Sequence, residues 1–163
     1  MKKLAQRFQV GILALGAAAL LFAQTSQTSG VWKLDVAKSK FNPGPGPKSA
    51  TLTIDASGAG VKTTYDEIEP DDSHVGYEYS TAGDGKDSPV TGTAQTAQLG
   101  GAETVVVRHA GSNSVVVHFM KSGQIVATNN TVASKDGKTL KITSQGADAK
   151  GQALSSMTVW NKQ

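Results

Sequence analysis

The stretch Glu103–Lys121, ETVVVRHAGSNSVVVHFMK, places two valine runs, Val105–Val107 and Val115–Val117, on either side of Gly111-Ser112-Asn113. Branched side chains around a short segment that tolerates positive φ read as an antiparallel hairpin. A two-residue loop pairs His109 with Ser114 and Val105 with His118; the two histidines then share a face about 13 Å apart at ~3.3 Å per residue. A one-residue slip would put them on opposite faces, and neither arrangement is a metal pair. Val105, Val107, Val115 and Val117 are assigned to the core. Val106 and Val116 then point outward beside Arg108, His118 and Met120, and a strand with one wet face should carry polar residues there. The expectation is that the loop Phe41–Lys48 (FNPGPGPK) or the N-terminal tail covers this patch, with a dimer as the alternative.

The same period recurs along the chain. Strands are expected at Val31–Val36, Ala50–Ala56, Val61–Ile68, His74–Thr81, Ser88–Thr93, Glu103–His109, Ser114–Lys121, Gln124–Ala133, Thr139–Gln145 and Leu154–Lys162. Ser57–Gly60, Asp84-Gly85, Ser122-Gly123 and Asp136-Gly137 supply the turns, so successive strands pair as neighbours. FNPGPGPK, with three alternating prolines, reads as a stiff, unpaired surface loop, and Ala94–Gly101 as a second long loop. The fold class is therefore all-β: an antiparallel up-and-down barrel of eight to ten strands, with a β-sandwich as the alternative. Local hairpins favour the barrel, whose closure removes exposed edges.

The chain has 163 residues and no cysteine, which excludes a disulfide scaffold, a thiolate zinc site, a cysteine nucleophile and a lipoprotein anchor. Its +3 charge is that of a leader: Lys2, Lys3 and Arg7 precede the apolar run Val10–Phe22, and the remainder balances thirteen basic against thirteen acidic residues. Thirteen apolar residues are too few to span a bilayer, so residues 1–23 read as a secretory signal peptide and 24–163 as one exported domain, periplasmic or extracellular. No nucleic-acid partner and no membrane span in the mature chain are expected, and a monomer is favoured.

Gly30-Val31-Trp32-Lys33-Leu34 resembles the G-x-W of the first lipocalin strand, and Val159-Trp160-Asn161-Lys162 is similar to the ending of the fatty-acid-binding branch. More broadly, GVWKLDVAKSKFNPGPGPKSATLTI, DGKDSPVTG and SKDGKTLKIT look like exported bacterial lipocalin-like proteins of the calycin superfamily with no assigned activity. The resemblance implies a lipocalin-like barrel with Trp32 plugging its closed end and Gly30 allowing close backbone approach. The lipocalin T-D-Y motif, the disulfide and the arginine that stacks on the tryptophan are missing; Arg108 is the sole arginine after the leader. Lys162 would replace that arginine's charge but not its plane.

Tyr65, Tyr77 and Tyr79 fall on adjacent strands, where their rings either fill the core or hold a mainly apolar ligand by its polar end. With His109, Phe119 and Asn129 they are the expected ligand-lining residues. No Arg or Lys is expected among them, so the ligand should be uncharged or weakly charged. Asp66, Glu67, Glu69, Asp71 and Asp72 read as a charged turn without calcium-loop spacing. Residues 61–103 hold nine acids and two lysines, and residues 121–162 six lysines and two acids, read as solvated surface. Hydrolase, metalloprotease and nucleotide-binding motifs are absent, so no catalytic residue, metal or cofactor is expected. Two readings follow: an exported barrel that binds a small hydrophobic molecule, or a filled-core structural or interaction protein of the envelope.

Overall fold

The computed structural model describes residues 27–56, 60–92, 99–148 and 150–163. The expected leader, the turn at Ser57–Ala59 and most of the Ala94–Gly101 loop lie outside them. Eleven strands follow in chain order: β1 (Gly30–Leu34), β2 (Lys40–Asn42), β3 (Ser49–Asp55), β4 (Val61–Ile68), β5 (His74–Thr81), β6 (Asp87–Gly92), β7 (Thr104–Gly111), β8 (Ser114–Lys121), β9 (Gln124–Ala133), β10 (Thr139–Ala147) and β11 (Ala153–Lys162).

From β3 to β11 each strand pairs antiparallel with its chain neighbours, and β1 pairs with both β3 and β11. The closing register sets Trp32 opposite Lys162 and Leu34 opposite Trp160. The sheet is therefore a closed up-and-down barrel, and the sandwich alternative is excluded. A 3₁₀ turn at Val36–Lys38 interrupts the first stave, with Asp35 accepting from the Lys38 amide. Beyond it, β2 pairs with the other half of β11, Phe41 opposite Ser156. β1 and β2 thus form one broken stave, which gives the ten expected from the sequence.

Turn chemistry fixes the meander locally. Ser122 and Gly123 both take positive φ (49° and 77°), the conformation of a type I′ turn whose twist matches the flanking strands. In β6, Pro89 cannot donate to a ladder, and the strand pairs with β7 through its first half and with β5 through its second.

Two expectations are corrected. The β7–β8 hairpin pairs Val105 with Phe119, Val106 with His118 and His109 with Val115, because a bulge between His109 and Gly111 takes up one extra residue. His109 therefore points inward. His118 points outward, its Nδ1 3.1 Å from Thr128 Oγ1. The FNPGPGPK loop does not cover Val106 and Val116: Phe41 and Asn42 pair with β11, and the prolines cross the barrel's mouth. The loop is built on the mouth because β2 continues the stave that β1 begins.

Burial alternates as the staves require. Val105 and Phe119 are fully buried with Val107, Val117, Tyr79 and Val90 on one side of the interior; Trp32, Leu52, Leu140, Ile142 and Trp160 fill the other. The end of the barrel that holds Gly30 and Lys162 is closed. There the Trp32 indole has no exposed surface and its N–H donates to the Thr28 carbonyl at 2.8 Å. The opposite end carries the proline loop and the acidic β4–β5 turn.

Candidate ligand-binding site

Period-two alternation on β4 turns Thr63, Tyr65 and Glu67 inward, and the β4–β5 register sets them opposite Tyr79, Tyr77 and Val75. Directly opposed side chains come close enough to interact. Tyr65 and Tyr77 stack at 4.9 Å between centroids and Tyr77 and Tyr79 at 6.3 Å, while Phe119 meets Tyr77 edge-on at 5.8 Å. Trp160, turned inward with Thr158 on β11, meets Tyr65 edge-on at 6.0 Å, and its indole N–H donates to Thr158 Oγ1 at 2.9 Å.

A cavity of about 240 Å³ opens above this ladder at the mouth. Tyr65, Tyr77 and Trp160 give it aromatic walls, its polar groups include Glu67, Glu69, Asn129, Ser144 and Gln145, and the strap Phe41–Pro47 forms its rim. A smaller cavity of about 90 Å³ lies toward the closed end, bordered by Tyr79, Thr131 and His109. Leu52, Tyr77, Asn129 and Ile142 border both spaces and separate them.

Electrostatics keep the ladder neutral. Burial, and then the neighbouring Glu67 carboxylate, push the Tyr65 phenol well above its ordinary range. Tyr77 is pushed up well above it too, by burial and then by Tyr79 and Glu67; burial also raises Tyr79, partly offset by a hydrogen bond with Thr63. All three stay protonated at neutral pH, and the Tyr65 hydroxyl donates to the Glu67 carboxylate. Glu67 itself is only 2% exposed.

Of the six residues expected from the sequence to line a site, Tyr65, Tyr77 and Asn129 border the mouth cavity; Tyr79 and His109 border the lower one. His109 Nδ1 is buried there without a hydrogen-bond partner. Phe119 borders neither space and packs as core. Sequence reasoning missed Glu67, grouped with its acidic chain neighbours rather than with Thr63 and Tyr65 two and four positions earlier; the alternation was the available signal. It also missed Trp160 and the strap. Gly46 seats the strap: a Cβ there would lie 2.3 Å from two atoms of the Phe41 ring. Among the described residues no three His, Asp or Glu side chains group closely enough to hold a metal ion.

No protein-family model matches the sequence, and no curated protein sequence does. The chain is similar to the crystal structure of zebrafish ileal bile acid-binding protein complexed with cholic acid, at 17% identity and a TM-score of 0.49, over 84% of this chain and 99% of that one.

Proposed function

We propose that this chain is an exported, non-enzymatic binding barrel that carries a small, mainly hydrophobic and weakly charged molecule in its mouth. The observation that supports this reading is the cavity of about 240 Å³ between Tyr65, Tyr77 and Trp160. A concave apolar space with a few convergent polar groups is the usual form of a small-molecule site. Stacked rings already held by cross-strand pairing need little ordering when a ligand arrives. The filled-core reading draws on Phe119, fully buried, and on the small size of the lower cavity. It accounts for the lower half of the barrel but not for the open mouth.

Export rests on the basic residues Lys2, Lys3 and Arg7 ahead of Val10–Phe22, with the mature domain at 24–163 in the periplasm or outside the cell. Native mass spectrometry of the protein purified from its own source tests both parts. The expected spectrum is a monomer lacking the leader and carrying a small molecule that gentle activation releases. A bare chain that also fails to bind small neutral hydrophobes in titration would overturn the binding reading, and retention of residues 1–23 would overturn export.

A further inference from the structure

Residues two apart on a strand share a face, so the alternation that buries Ala127 on β9, Ile142 on β10 and Thr158 on β11 also turns Asn129, Ser144 and Ser156 inward. The registers set Ser144 directly opposite both Asn129 and Ser156. Three neutral polar side chains thus stand side by side on adjacent staves, about 4.8 Å from one strand to the next. All three border the mouth cavity. β9 and β10 lie half-way round the barrel from β4 and β5, so the row faces the Tyr65–Tyr77 stack across the mouth.

One step deeper, Thr158 Oγ1 accepts from the Trp160 indole at 2.9 Å and donates to the Ile142 carbonyl at 3.3 Å. Among the described residues no such bond within the chain engages the side chains of Asn129, Ser144 or Ser156. Their donors and acceptors are open to the contents of the cavity. An apolar molecule lying over them would strip their water and leave them unpaired, a penalty that a ligand hydroxyl, which both donates and accepts, removes. An amide and two hydroxyls bring no formal charge to the pairing.

Resting on the binding reading above, we propose that the ligand is an amphiphile with an uncharged polyhydroxyl head, as in a glycoside. Its hydroxyls pair with Asn129, Ser144 and Ser156, and its apolar part lies against Tyr65 and Tyr77.

The test uses three probes, phenyl β-D-glucopyranoside, 2-phenylethanol and D-glucose, titrated by calorimetry into the mature protein at neutral pH. One added hydrogen bond is worth up to about tenfold in affinity, so the glucoside should bind about tenfold tighter than 2-phenylethanol or more. D-glucose, which lacks the apolar part, should bind weakest. Ser144→Ala and Ser156→Ala should each shrink the glucoside-to-phenylethanol ratio several-fold. The ranking in the unmodified protein needs no variant, so it decides even where a variant folds poorly. Equal affinities for the glucoside and 2-phenylethanol, tighter binding of 2-phenylethanol, or D-glucose matching the glucoside would overturn the assignment while leaving the barrel a binder. Failure of all three probes to bind would overturn both.

Discussion

Lys162 carries its ammonium to 5.1 Å from the centroid of the Trp32 ring, across the seam where the first and last strands close the barrel. The arrangement follows from alternation on β11, which points Thr158, Trp160 and Lys162 to one side. Gly30 leaves the lysine stem room to pass: a Cβ at that position would lie 2.6 Å from Lys162 Cε. The lysine thus covers the indole through its alkyl stem and its charge.

Trp32→Ala should cost about 3 to 5 kcal/mol in urea unfolding, the usual range for removing a large buried aromatic. Lys162→Met keeps the stem and removes the charge, so its cost should be about 0.5 to 1 kcal/mol. A loss below about 1 kcal/mol for Trp32→Ala would mean that the seam does not depend on the indole.

Gly30→Ala meets two obstacles, the Lys162 stem and a backbone φ of 135° that side chains avoid. The expected penalty is about 1 to 3 kcal/mol. Pairing it with Lys162→Ala removes the collision but not the strain, so the double variant should recover only part of the loss. Full recovery would show that the φ at Gly30 relaxes freely.

The three tyrosines of the ladder are the only ones in the chain, so phenolate absorbance reports on them alone. Their folded pKa values lie above the ordinary 10.0. Below pH 10 both folded and unfolded chains hold these protons and the ladder's contribution is fully present. Above it the unfolded chain releases protons that the folded one keeps, so stability falls as pH rises from about 10. Spectrophotometric titration should show little phenolate until the barrel unfolds, then a cooperative rise. A gradual, independent titration centred near 10 would contradict the buried ladder.

What was legible in the sequence was local. Alternation and turn residues mark ten staves, and Trp32, Tyr65 and Tyr77 stand out as large amphipathic rings on inward positions. Harder to read were features set by a single inserted residue or by three-dimensional closure. One bulge between His109 and Gly111 shifted the hairpin register by one residue and put the two histidines on opposite faces, and nothing in Ala110 announces it. β2 escaped because its three residues run into prolines, and its partner Ser155–Met157 lies more than a hundred positions away. Glu67 was obscured by its neighbours: five acids in seven residues suggest a solvated turn, yet only one of them is both inward on β4 and buried.

Gly46→Ala should displace the Phe41 ring, because the new methyl would overlap two ring carbons of the strap. The measurable outcomes are a shifted Phe41 aromatic resonance and weaker binding of a small neutral hydrophobe such as 2-phenylethanol at the mouth. An unchanged Phe41 resonance would show that the strap is not seated on Gly46.

Methyl NMR during a titration with the neutral probe 2-phenylethanol tests most directly whether the barrel's mouth is a binding site. The expected result is saturable shifts at Leu52, Leu99, Ile142 and Leu154, which border the mouth cavity, with Val31, Val36, Ile125 and Val132 on the exposed surface unmoved. Shifts confined to the surface set, or no saturable shifts at all, would contradict it.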